Sequence, residues 1–220
     1  MKTLFPAAPK TSGHISLLEF IEGAHLHLGA HKRTVMKSQR IDVFHDENPS
    51  VYVVVAGRLQ VLIATPQGID VFVTDVECGE MIGEAAALSD GSVPIIIEAC
   101  EISDVYVMDR VMFFRAIEEH GDFSMAVMRA MCQRLCRVNR RLADTVTLPM
   151  HIRLKAELMR LAKPSTDGKL IIDRLPTHEE LALRISSQRE AVTKELAKLN
   201  RCGFISKSGR RLIVRINDVS

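Results

Sequence analysis

Gln188, Arg189, Glu190 and Lys194 stand close together just after a Ser-Ser pair, on the polar side of an apolar-periodic segment. These residue types suit hydrogen bonding to base edges. An arginine guanidinium pairs with the O6 and N7 acceptors of guanine, and a glutamate carboxylate accepts from the cytosine amino group. Each good pairing is worth about 1 to 3 kcal/mol of discrimination. The major groove admits a helix that carries such residues on its first turns.

Two helices must hold them there. Thr177-His178-Glu179-Glu180 has the form of a capping box, in which the threonine hydroxyl and the last glutamate satisfy free backbone amides at a helix start. Leu181, Ala182 and Ile185 supply the apolar face of that helix. Only Ser186-Ser187 separates it from a second helix over Gln188 to about Asn200, with Ala191, Val192, Leu196 and Leu199 facing inward. Ser187 and Glu190 repeat the capping pattern. Helices joined this tightly form a helix-turn-helix. The competing reading is a helical hairpin whose charged residues face water.

The segment that follows favours the first reading. Gly203 to Ser206 and Leu212 to Ile216 predict a hairpin across the polar turn Lys207 to Arg211. Lys207, Arg210 and Arg211 would lie where a wing meets phosphates, and Thr177 and Ser187 are the matching candidates at the two helix starts. Such contacts orient a protein on DNA without specifying sequence. Charge agrees: residues 1–148 carry 14 Lys/Arg against 19 Asp/Glu, and residues 149–220 carry 15 against 8. An acidic body thus leads into a basic final third suited to a polyanion.

The rest of the chain has to position that third. From His31 to Met108 short β-branched runs alternate with turn signals, predicting antiparallel strands over Ser50–Val55, Leu59–Ala64, Val71–Val76, Ile95–Ala99 and Ser103–Met108. From Asp122 to Thr147 neither Pro nor Gly occurs, and Met128, Met131, Leu135, Val138 and Leu142 recur at steps of three and four. That is the spacing of a two-stranded coiled-coil seam, with Arg134 and Arg141 flanking it; packing on the chain's own sheet is the alternative. Pro149 ends the helix, and Ile152 to Ala162 predicts an amphipathic helix with Leu154, Leu158 and Leu161 on one side. The expected organisation is α+β in three parts: an antiparallel β-roll or sandwich with flanking helices over 1–121, a dimerisation helix over 122–148 and a winged helix-turn-helix over 149–220.

Several classes fit poorly. No run of 18 apolar residues exists, and Met1 to Gly13 lacks a signal-peptide pattern, so the expectation is a cytoplasmic protein with no membrane partner. Cys78, Cys100, Cys132, Cys136 and Cys202 are an odd, scattered set without C-x-x-C, consistent with reduced thiols. Cys132 and Cys136 lie one helical turn apart beside the seam, read as small buried side chains with a thiol sensor as the alternative. His25, His27 and His31 could present imidazoles along an extended segment, but no carboxylate or cysteine is tied to them by spacing, so no metal is assigned. Neither a nucleotide-binding glycine loop nor a recognisable catalytic arrangement is present, and no enzyme is expected.

Nearly the whole chain resembles the family of the cyclic-AMP receptor protein and the fumarate and nitrate reduction regulator, bacterial regulators of transcription. The resemblance is strongest over Thr177 to Ile205, where Arg189 and Glu190 fall on the family's two principal base-reading positions and Lys194 on a third that is usually arginine. Val51 to Val61 is similar to the family's β-roll strand pair, and Gly79-Glu80-Met81-Ile82-Gly83-Glu84 to the start of its phosphate-binding cassette. The implied fold is a cyclic-nucleotide-binding-like jelly roll, a long dimerisation helix and a winged helix-turn-helix.

The resemblance also frames the effector. Family members that bind cyclic AMP hold its phosphate with an arginine about ten residues after the cassette glutamate. Here that place reads Ser92-Val93-Pro94-Ile95, and no arginine lies between Glu84 and Arg110. A phosphate buried without a cation is poorly compensated. Val138-Asn139 stands where those members place a hydroxyl pair to the adenine. Glu84, Val138 and Asn139 are therefore the candidate effector-pocket residues, for an effector other than cyclic AMP in its usual mode; Glu84 reads more readily as a carboxylate at a helix start.

The expected function is that of a homodimeric regulator on a near-palindromic operator in double-stranded DNA, with RNA polymerase a further partner if it activates. The alternative is a ligand-binding module that acts on a protein partner without DNA.

Overall fold

The computed structural model describes residues 17–24, 29–42, 49–66, 68, 70–89, 95–166, 169–209 and 211–215. Two compact units emerge. One comprises Met1–Gln60 and Asp75–Arg134, the other Val61–Thr74 and Leu135–Ser220.

The elements run in order: α1 (Leu17–Ala24), β1 (His31–Val35), β2 (Arg40–Asp42), β3 (Val51–Ala56), β4 (Arg58–Ala64), β5 (Asp70–Glu77), β6 (Met81–Ile82), α2 (Glu84–Leu88), β7 (Ile95–Ala99) and β8 (Ser103–Met108). They continue with α3 (Arg110–Glu119), α4 (Gly121–Thr147), α5 (Met150–Leu161), β9 (Lys163–Pro164), β10 (Leu170–Ile172), α6 (His178–Arg184), α7 (Arg189–Arg201), β11 (Ile205–Ser208) and β12 (Arg211–Val214). The five strands expected from β-branched runs all form, within a residue or two at their ends. The α+β class with an antiparallel roll, a long helix and a winged helix-turn-helix is what the chain adopts.

The roll consists of two four-stranded sheets, ordered β1-β8-β3-β6 and β2-β7-β4-β5. Strand β8 is the spine of the first, pairing antiparallel with β1 (His31 opposite Val107) and with β3 (Tyr52 opposite Val107). Gly57, at φ 86° between β3 and β4, turns where a side chain would strike Ser103 and the Ile102 carbonyl. Glycine adopts this left-handed backbone without steric cost.

Helices close the core of this unit. Leu17, Phe20 and Ile21 of α1, Phe113 and Ala116 of α3, and Phe123 and Val127 of α4 pack with Val51, Val53, Met81 and Met108. Met131 also packs here, so it faces its own chain rather than outward as the coiled-coil pattern predicts. The outward stripe of α4 consists of Met125, Met128, Leu135, Leu142 and Val146, all exposed.

In the second unit Leu154 and Leu158 of α5, Leu181, Ala182 and Ile185 around α6, and Val192, Leu196 and Leu199 of α7 share one core with Ile172, Ile205, Leu212 and Val214. The wing is more than a hairpin: its sheet runs β11-β12-β10-β9. Among the described residues no helix is long and apolar enough to cross a membrane.

Candidate nucleic-acid interface

The first helix of the motif begins as its sequence demands. Thr177 Oγ1 accepts from the Glu180 amide at 3.2 Å, and the Thr177 amide donates to Glu180 Oε2 at 2.6 Å, closing the capping box. The turn is tight. The Ser187 amide reaches the Ala182 carbonyl at 2.9 Å, and Ser186 adopts φ 50°. That left-handed conformation at a non-glycine residue carries a steric cost, which the surrounding turn overrides.

The second helix starts one residue later than its serine suggests. Gln188 is the N-cap and makes no side-chain cap, so the Ser187–Glu190 pattern does not form a second box. The consequence for presentation is small. Gln188, Arg189, Glu190 and Lys194 are all exposed, and their side chains make no ion pair or hydrogen bond among the described residues. Behind them, His178 Nδ1 and Thr193 Oγ1 lie 2.8 Å apart, linking α6 to α7.

Of the expected phosphate contacts, Lys207 is exposed on β11, and Arg211, at the start of β12, already pairs with Asp173 at 2.9 Å. That pair is open to solvent on both sides and is weak. Thr177 is exposed while its hydroxyl serves the cap, and Ser187 is half-buried. Arg210 lies outside the described residues, as do His25 and His27.

Arginines crosslink the base of the motif, in contacts that the sequence did not mark. Glu157 of α5, almost fully buried, receives Arg160 at 2.8 and 3.0 Å and Arg184 at 3.2 Å, with Arg141 at 3.7 Å. Burial works to raise its carboxyl pKa, but the combined pull of Arg160, Arg184 and Arg141 holds it below the ordinary range. Arg153 donates to the carbonyls of Leu148 at 2.8 Å and Ile185 at 3.0 Å. It thereby satisfies carbonyls that helix ends leave free.

In the other unit the cassette carboxylate also meets an arginine of its own chain. Gly83 precedes α2 at φ 99°, where a side chain would collide with the Ser50 carbonyl. Glu84 follows, buried, with Arg134 of α4 donating both to its carboxylate and to the Met81 carbonyl. Burial pushes the Glu84 carboxyl above its usual range, Arg134 opposing without overcoming it. Val138 is half-buried and Asn139 exposed further along α4, within the other unit. Arg134 and Arg141, expected to flank a seam, thus both turn onto their own chain. Cys132 and Cys136, read as buried, are exposed. Among the described residues no cluster of three or more His, Cys, Asp or Glu side chains could hold a metal ion.

A β-roll followed by a long helix and a winged helix-turn-helix with an exposed polar recognition helix defines a class of DNA-binding transcriptional regulators. Residues 37–120 match the cyclic nucleotide-binding domain, and residues 152–220 the Crp-like helix-turn-helix domain. A CRP-like cAMP-activated global transcriptional regulator of Mycobacterium tuberculosis is 27% identical over 179 residues, covering 78% of this chain and 79% of that protein. Among solved structures, the c-di-GMP responsive global regulator CLP of Xanthomonas campestris superposes with a TM-score of 0.72 at 17% identity, covering 87% of this chain and 97% of that one. A CooA mutant from Carboxydothermus hydrogenoformans gives 0.74 at 17% identity, covering 94% and 93%. The chain belongs to the CRP/FNR family of transcriptional regulators, and its helix-turn-helix is a DNA-binding domain.

Proposed function

We propose that this regulator binds a near-palindromic duplex as a homodimer, and that it does so without cyclic AMP. The observation that carries the reading is the set of four exposed, uncommitted side chains on the first turns of α7: Gln188, Arg189, Glu190 and Lys194. Arg189 and Glu190 read bases directly. Lys194 reads its position as a point charge, without the planar fork of an arginine. Thr177, Ser187, Lys207, Arg210 and Arg211 contact phosphates, Arg211 after parting from Asp173. A two-fold dimer of this kind spans half-sites roughly 34 Å apart, one helical turn of DNA.

Helix α4 supplies the dimer seam. Its outward residues Met125, Met128, Leu135, Leu142 and Val146, with Cys132 and Asn139 between them, follow alternating steps of three and four. Met128, Leu135 and Leu142 of the expected seam remain; Met131 and Val138 give way to this neighbouring stripe. Asn139 then occupies a core position of the repeat, where a buried asparagine specifies register and a two-stranded state at a cost in stability.

The relative from M. tuberculosis is named as cAMP-activated. In this chain the cassette carboxylate is already held by Arg134, and the family's phosphate-binding arginine is missing from the sequence between Glu84 and Arg110. Both features support competence for DNA without cyclic AMP. The β-roll then acts as a dimerisation scaffold or answers a different signal.

Fluorescence anisotropy of labelled duplex against salt tests this reading. Binding by two chains per duplex is expected without added nucleotide. Neutralising six to ten phosphates would cost roughly 10³ to 10⁵ in affinity between 50 and 200 mM salt. A salt-insensitive complex would contradict this reading, and no binding at all would instead support a module that acts on a protein partner without DNA.

A further inference from the structure

Phe72 of β5 belongs to the same compact unit as the helix-turn-helix, and its buried ring meets two guanidinium groups. Arg141 Cζ lies 4.2 Å from the ring centroid and Arg184 Cζ 4.6 Å. Both arginines reach Glu157. Two cations held this close repel one another, and the ring faces and the shared carboxylate are what make the arrangement tenable.

Arg184 is no ordinary surface residue. It is the last residue of α6, only 3% exposed, immediately before the turn into the recognition helix. Its carbonyl accepts from Arg141 of α4, and the next two carbonyls, of Ile185 and Ser186, accept from Arg153. The same Arg153 also holds the Thr145 and Leu148 carbonyls at the C-terminal end of α4. Phe72, Arg141, Arg153, Arg184 and Glu157 therefore tie the turn of the motif to the end of the long helix.

We infer that Phe72 is a positioning residue for the helix-turn-helix: its ring, packed against both Arg141 and Arg184, fixes α6 and α7 against the C-terminal stretch of α4. In a dimer joined along α4, that fixes the separation of the two recognition helices. This last consequence rests on the function proposed above; the clamp itself does not. Removing the ring leaves two neighbouring cations with one carboxylate between them, and the turn becomes free to shift.

The test uses the full chain and three variants, Phe72→Ala, Phe72→Leu and Phe72→Tyr. Leucine keeps a buried apolar side chain without the aromatic faces, so it stays informative if the alanine variant fails to fold. Hydrogen exchange without DNA comes first. Residues 184–187 and 145–148 should exchange at least about tenfold faster in the alanine and leucine variants, a shift of 1.4 kcal/mol in local opening. The pairing of β3 with β8 should keep its wild-type rate, and tyrosine should restore the turn. Wild-type exchange at both segments in the leucine variant overturns the clamp.

The second arm measures affinity for palindromes whose half-site spacing is varied by one and two base pairs. Wild type and Phe72→Tyr should prefer one spacing sharply. Phe72→Leu should lose about tenfold at that spacing and little elsewhere, flattening the profile. An equally sharp profile in the leucine variant overturns the positioning role. A wild-type chain that binds no duplex overturns the DNA-binding reading instead, and the exchange result alone then decides the clamp.

Discussion

Arg134, on the long helix α4, donates to the buried carboxylate of Glu84 at the start of α2, fifty residues earlier in the chain. The pair closes the cassette from within. Removing one member of a buried ion pair leaves an uncompensated charge and typically costs about 3 to 5 kcal/mol. Arg134→Leu should lose that much stability at pH 7 by urea denaturation. The loss should shrink toward pH 5. Burial already raises the Glu84 pKa in the folded state, and without Arg134 it rises further. A carboxyl with a raised folded pKa contributes stability that is present below its ordinary pKa and is lost as pH rises through the raised value. A pH-independent deficit would count against the pairing.

Glu157 has the opposite sign. Its folded pKa lies below the ordinary value of 4.5, despite burial, because three arginines surround it. Its contribution is therefore complete above that ordinary value and is lost as pH falls through the depressed one. Glu157→Gln should unfold at lower urea than wild type at pH 7, by about 3 to 5 kcal/mol. The gap should narrow below pH 4.5 as the wild-type carboxyl gains a proton. Parallel pH profiles for the two chains would contradict this.

The outward stripe of α4 predicts assembly. Leu135→Glu, placing like charges across the seam, should give monomers by analytical ultracentrifugation at concentrations where wild type is dimeric. Asn139→Ile should raise dimer stability while relaxing register or oligomer number. A Leu135→Glu chain that remains dimeric would move the interface elsewhere.

Thr177 holds the entry to the motif. Thr177→Ala should destabilise the winged unit by about 1 kcal/mol through loss of the cap. If the threonine also touches phosphate, DNA affinity should fall by more than this loss of stability explains, and calorimetry alongside binding separates the two effects.

How much of this could be read from the sequence depends on the range of the interaction. Strands β3, β4, β5, β7 and β8 and the Thr177–Glu180 box are local patterns, and they form within a residue or two of expectation. Strand β1 is His-Lys-Arg-Thr-Val with four exposed residues, and carries no apolar alternation to detect. Strands β6 and β9 span two residues each, too short for any period. Helix α4 carries two apolar stripes, and spacing alone does not say that Phe123, Val127 and Met131 face inward while Met128 and Leu135 face out. The arginines are the larger gap. Arg134 with Glu84, Arg141 with Phe72 and Arg184 with Glu157 join residues 27 to 69 positions apart, and no local signal marks an arginine committed to such a contact as distinct from a solvated one. That Gln188, Arg189, Glu190 and Lys194 lead the second helix exposed was legible because a short turn between two amphipathic helices fixes which side chains come first.

The proposed regulator reads DNA sequence with the first turns of α7, with no cyclic AMP required. The most direct measurement is selection of bound duplexes from a random library by the full-length protein without nucleotide, with Arg189→Ala run in parallel. Enrichment of a palindrome by wild type is expected, with the variant weakened by about 1 to 3 kcal/mol and relaxed at one base pair in each half-site. An enriched site that the variant binds with unchanged affinity and preference, or no enriched site at all, would contradict the claim.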